Sequence, residues 1–195
     1  EALNKGFLQA KNRDKMRFFL MWANHDATTL WDLENSHENK VIWPGTVNFA
    51  QFETIVERVI SRYFSQPGYY KIDGCPVFSI FQPRNLIKGL GGKFSRKRKT
   101  KSALDLFRKK VKDAGFPDLH VQAILNGVSP RMARKLGFDS VTSYQWAQHV
   151  HAQGPYEAWA EKNVIRWEKF REQYSVTFYP HVSVGWDTSP RFKAP

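Results

Sequence analysis

The sequence predicts an α/β fold of about five parallel strands with helices between them. Three observations carry that expectation. Short apolar runs without helical spacing alternate along the whole chain with longer segments of helical spacing. Turn and cap residues divide the two kinds of segment. Hydrophobic residues make up 42% of the 195 residues, enough for a packed core, and a single domain over 1–195 accommodates them.

Taken in order, residues 2–12 (ALNKGFLQAKN) have the spacing of the end of an amphipathic helix. MRFFLMWA (16–23) is a strand buried on both faces, being apolar with no helical period. Residues 24–47 form a long polar loop with Trp31 and Trp43, and a loop of that length in a compact domain is usually functional. NFAQFETIVERVISRYFSQ (48–66) is a helix capped by Asn48, with Phe52, Ile55, Val56, Val59, Ile60 and Tyr63 as its core stripe. YYKIDG turns the chain into the strand CPVFSIF (75–81), and a short helix follows over 85–90. KSALDLFRKKVKDAG (101–115) is a helix ending on Gly115, and LHVQAIL (119–125) is the next strand. SPRMARKLG opens with Ser129 as N-cap and Pro130 in the first turn, and closes on Gly137. FDSVTSYQW (138–146) is a strand, residues 155–174 a helix and TFYPHVSVGWD (177–187) the last strand. Two architectures fit this order, an open doubly wound sheet and a (β/α)8 barrel. No glycine-rich phosphate fingerprint follows a strand, which counts against a nucleotide fold.

Composition narrows the chemistry. Cys75 is the sole cysteine, so an internal disulfide and a cysteine zinc site are excluded, and a structural thiol is expected. The net charge of +12 favours anionic partners, but much of it lies in KFSRKRKTK (93–101), which reads as a solvated insert. Nucleic acid is therefore not the expected partner, and a basic nucleic-acid-binding module stands only as a further alternative. No apolar run approaches a transmembrane span. The histidines and acids show no metal-ligand clustering, so neither a metal nor another cofactor is expected.

In parallel α/β folds ligands bind at the carboxyl ends of the strands. Those ends carry Trp22, Asn24, His25 and Asp26, then Gln82 and Arg84, then Asn126, then Tyr144, Gln145 and Trp146, then His181, Trp186 and Asp187. Aromatic faces stack on sugar C–H surfaces, and amides and acids pair with hydroxyls, so these ends suggest an oligo- or polysaccharide ligand. Asp26 and Asp187 are weak candidates for acid–base roles. His120, at a strand start, is expected to be structural. His149 and His151 are expected at the surface, as are Glu157, Glu161, Glu168 and Glu172.

MRFFLMWANHDATTLWD (16–32), GYYKIDGCPVFSIFQP (68–83) and VSVGWDTSPRF (182–192) resemble the glycoside hydrolase family 99-like domains, also called WbsX-type proteins. The resemblance runs in order over nearly the whole chain. It implies a (β/α)8 TIM barrel of which these are the third to seventh strands, with two strands expected before Glu1 and one after Pro195. It further implies a carbohydrate-active protein, a glycoside hydrolase first and a glycosyltransferase of polysaccharide assembly as the alternative. A periplasmic, cell-envelope or secreted location follows from the family's habits. The matching substrate-side residues are Trp22, Asn24, Trp186, Asp187 and Arg191. His25 stands where many relatives carry Glu, and the family's Asn-Glu-Trp box does not occur, so the catalytic carboxylates are expected outside this stretch.

Overall fold

The computed structural model describes residues 2–32, 34, 36–91 and 96–184. Its strands are β1 (Leu20–Trp22), β2 (Ala27–Thr28), β3 (Val41–Trp43), β4 (Lys71–Ile72), β5 (Cys75–Ile80), β6 (His120–Ile124), β7 (Ser140–Thr142) and β8 (Thr177–Tyr179). The α-helices are α1 (Phe49–Val59), α2 (Pro83–Leu90), α3 (Arg96–Asp113), α4 (Pro130–Leu136) and α5 (Tyr156–Gln173).

The main sheet runs β1-β5-β6-β7-β8, and every neighbouring pair in that row is parallel. Its strands lie side by side in chain order. A doubly wound sheet would reverse that order at a switch point, whereas a barrel wall keeps it. Among the described residues the wall does not close: β1 and β8 are its two ends, and β4 adds a short antiparallel pairing to β5. The fold is thus the α/β class expected, arranged as part of a (β/α)8 wall.

The two faces of the wall differ because strand side chains alternate. One face holds Leu20, Trp22, Phe78, Ile80, Val121, Ala123, Val141 and Phe178, packed into one hydrophobic cluster with side chains from all five α-helices. Phe107 of α3 is central there, its ring edge-on to Phe78 at 5.3 Å and to Phe52 at 6.2 Å. The opposite face presents Phe19, Met21, Val77, Ser79, Gln122, Ile124, Thr142 and Tyr179 to an open groove.

The helix ends follow their cap residues. Asn48 and Gln51 form a reciprocal capping box at 2.9 Å, and Ser129 accepts the amide of Met132 at 3.2 Å. Gly137 closes α4 in the left-handed conformation at φ 73°.

Several boundaries differ from expectation. Residues 2–12 make one π turn (Ala2–Gly6) and one 3₁₀ turn (Phe7–Gln9), because neither buries a residue that could hold a longer helix in place. The loop over 24–47 contains the antiparallel pair β2–β3. α3 begins five residues early, as Lys and Arg are good helix formers. The last strand stops at Tyr179, since Pro180 has no amide to continue a ladder.

Candidate functional site

The amino ends of the strands are closed by ordinary pairing. Arg108, reaching from α3, donates to the carbonyls of Leu119 and Gly137 (the latter at 2.7 Å) and to Asp118 and Asp139 at 3.5 and 2.7 Å. Asp139 also accepts the amide of Val121 at 2.7 Å. Burial pushes Asp118 upward, but the Leu119 amide, Lys112 and Arg108 together hold its carboxyl below the usual range. His120 Nε2 lies 2.8 Å from the Ser140 hydroxyl, and burial keeps the ring's pKa below its ordinary value. His120 thus takes part in the pairing that closes this end.

The carboxyl ends are built differently. Asn24 is buried, and its side chain takes the amide of Gln82 at 2.7 Å and donates to the Gln82 carbonyl at 2.9 Å. This reciprocal pairing ties the exit of β1 to the exit of β5. Asp26 accepts the Gly45 amide at 2.6 Å and so anchors the end of the β2–β3 segment. Gly45 is required there: a Cβ would lie 2.4 Å from the His25 carbonyl carbon. His25 is exposed, with Nδ1 at 2.9 Å from the Asp26 carbonyl oxygen.

Three rings then meet across the exits of β1, β5 and β7. His25 meets Phe81 edge-on at 5.5 Å, and Phe81 meets Tyr144 at 5.0 Å. Tyr144 and His181 also line the groove on the open face, whose volume is about 390 Å³. Its walls carry Phe19, Met21, Tyr70 and Tyr179, and its floor carries Ser79 and Gln122. Ser79 is 1% exposed, and its hydroxyl has no hydrogen-bond partner among the described residues. Gln122 is buried and donates to the Ser140 hydroxyl at 3.3 Å. Burial lowers the pKa of His181, so the ring is neutral near neutral pH and can both donate and accept.

Of the residues singled out in the sequence, Tyr144 and His181 share the groove, with His25 reached through Phe81. Trp22 faces the other way, tilted against Phe52 at 6.3 Å in the helix-side core. Trp146 is buried; its indole donates to the His181 carbonyl and its ring packs among Tyr156, Trp159 and Trp167. It therefore backs the His181 segment rather than lining the groove. Asn126 is half-buried, its amide on the Ile124 carbonyl at 2.7 Å. Arg84 donates to the Gly127 carbonyl at 2.7 Å. His149, expected at the surface, is half-buried edge-on to Phe170 at 5.0 Å, because the segment after β7 folds against α5. Trp186, Asp187 and Arg191 lie outside the described residues.

Phe81, Ser79, Gln122 and Tyr179 were not singled out. Ser79 was legible as the polar residue of an otherwise apolar strand, and Gln122 as alternating with His120, a pattern that marks a face unlike the core.

The groove offers ring faces, the polar side chains of Ser79, Gln122, Thr142 and Ser143, and a neutral imidazole. No carboxylate lines it among the described residues, and no metal-ligating cluster of three or more His, Cys, Asp or Glu occurs among them. Among the described residues, no helix is long and apolar enough to cross a membrane. The model of the family described as Glycosyltransferase WbsX matches residues 3–195. The chain belongs to the WbsX family. A search among curated proteins gives no match. The WbsX match covers the wall and the strand ends alike, and it relates the chain to carbohydrate chemistry.

Proposed function

We propose that the chain binds an oligosaccharide along the open face of its sheet, at the carboxyl rim, as part of a glycoside hydrolase. The observation that carries this reading is the groove itself. Aromatic walls suit the apolar faces of sugar rings, and the buried, unpartnered Ser79 hydroxyl on the floor suits a ligand hydroxyl. His25, Phe81, Tyr144 and His181 are the rim contacts in this reading. Trp146 supports the segment carrying His181, and Asn24 and Asp26 fix the β1 exit that carries His25. Asn126 from the strand ends and Trp186, Asp187 and Arg191 from the resemblance remain substrate-side candidates, whereas Trp22, packed against Phe52 in the helix-side core, does not. The acid and base are supplied from outside the groove described here, with Asp26 and Asp187 the candidates within this chain.

The family's description favours a second reading, transfer of a glycosyl group to a hydroxyl acceptor rather than to water. The same groove serves either. Incubation with mannose-containing oligosaccharides tests both, with products separated by chromatography. Shortened, reducing sugars made in water support the hydrolase. Extension of an acceptor only when an activated sugar is present supports the transferase. Failure to bind any oligosaccharide overturns both.

A further inference from the structure

A second cavity, of about 470 Å³, is lined by residues that follow β7 and β8 at the carboxyl rim. Tyr144 and His181 line both it and the groove, so the second cavity begins where the groove ends. The rest of its lining differs in kind. Ala147, Ala152, Trp159, Val182 and Val184 make it apolar. Gln145 and Ser183 are its polar additions. The wall after β8 is held from behind. The Ser183 hydroxyl accepts the Trp146 amide at 3.1 Å, and the Ser183 carbonyl accepts the Tyr156 hydroxyl at 2.9 Å. The Trp146 indole donates to the His181 carbonyl. These three contacts fix residues 181–183 in place, and a site whose walls are already fixed loses less entropy on binding.

The lining selects one kind of substituent. Val182 is 63% exposed and Val184 92%, so their methyl groups face water. Gln145 opens the 3₁₀ turn Trp146–Gln148, yet its side chain does not cap that turn and makes no hydrogen bond among the described residues. Gln148 behaves otherwise: its side chain accepts the Tyr144 amide and donates to the Leu125 carbonyl, both at 3.3 Å. A carboxamide presents an acceptor oxygen and an NH₂ donor side by side. Another amide answers both at once, with its own N–H and carbonyl. A lone hydroxyl adds nothing to cover the apolar walls, whereas a methyl carried on the amide does. No Lys, Arg, Asp or Glu lines the cavity among the described residues, so a charged substituent has no counter-ion there. Amide and methyl together are an acetamido group.

We propose that the second cavity is a subsite for an acetamido sugar, bound as the unit next to the one in the groove. The Gln145 carboxamide pairs with the acetamido N–H and carbonyl, and the methyl rests among Ala147, Trp159 and Val182. The Ser183 hydroxyl accepts from Trp146 and keeps its own proton to donate to the same sugar. Tyr144 and His181 stand between the two units. The inference rests on the saccharide reading of the groove and adds which kind of sugar adjoins it.

A glycan array of matched pairs tests it, mannose-containing glycans included. The members of a pair differ by an acetamido group, an O-acetyl group or a plain hydroxyl on one sugar, as in N-acetylglucosamine against glucose. The acetamido member should bind about tenfold or more tighter than the plain one, since it gains two hydrogen bonds and a covered methyl. Gln145→Leu should bring the two to within about twofold of each other by removing the pairing groups. Ala147→Phe should do the same by filling the cavity; the position is exposed, and an unchanged melting temperature establishes that the variant folds. Pairs bound alike by the wild-type chain overturn the inference and leave the saccharide reading of the groove standing. So does an acetamido preference that survives both variants, or one matched by the O-acetyl member, which lacks the N–H. Binding to no glycan at all overturns the groove reading and the subsite together.

Discussion

The two ends of the sheet are made of similar residue types and put to opposite uses. At the amino ends, one guanidinium meets two carbonyls and two carboxylates, and His120 meets Ser140. The polar groups there satisfy one another. At the carboxyl ends, amides and acids are spent on holding the backbone, as Asn24 and Asp26 are, while rings line the open groove and the buried Ser79 hydroxyl beneath it is left without a partner among the described residues. A closed polar network confers stability; an open set of rings and hydroxyls has unused capacity for a ligand.

The sharpest way to separate the ends is to break the closed one. Arg108→Ala removes the donor of four contacts and leaves carbonyls and carboxylates without it. A loss of about 3 kcal/mol is expected. For a chain of this size that lowers Tm by roughly 6–12 °C in a thermal melt, with saccharide affinity unchanged where the protein is still folded. Tyr144→Ala should do the reverse. The residue is exposed at the rim, so Tm should move by under roughly 2 °C while affinity falls about tenfold by calorimetry.

Ser79→Ala gives a smaller and more pointed result. Deleting a buried hydroxyl that has no protein partner removes an unsatisfied group, so stability should hold or rise by about 0.5–1 kcal/mol. If that hydroxyl pairs with a ligand, affinity should fall about fivefold in the same variant. A drop in stability with no change in affinity would make Ser79 part of the core instead.

The smallest effect is with pH. Burial holds His120, His149 and His181 below the ordinary histidine value, so the folded protein keeps them neutral. The unfolded chain binds protons from near pH 6.5 downward. Stability should therefore be level above about pH 7 and decline as pH falls through 6.5, measured by denaturant midpoints. His120→Gln should flatten part of that decline.

The comparison also accounts for what could be read from sequence. The alternation of elements was plain because each α-helix buries a stripe against one strand face, and Phe52, Val56 and Val59 keep that period. Asn48 and Ser129 were recognisable as caps because capping is local chemistry. The rim was legible in part. Tyr144 and His181 follow their strands into the groove, but Trp22, one residue out of phase, belongs to the covered face. Period-two alternation decides that, and a run as uniformly apolar as FFLMW hides its own phase. Trp146 was misplaced for another reason: β7 ends at Thr142, and a 3₁₀ turn carries Trp146 back into the aromatic packing against α5. The hairpin β2–β3 escaped notice because it has two- and three-residue strands and no glycine-based two-residue turn.

Hydroxyl-radical footprinting with and without a mannose-containing oligosaccharide addresses the open face most directly, since it reads side-chain accessibility ring by ring. Protection of Tyr144, Tyr179 and Phe81, with the exposed Tyr156 and the residues of α3 unchanged, is the result expected. Protection confined to the helix side, or none at these three rings at saturating sugar, would contradict a saccharide site in the groove.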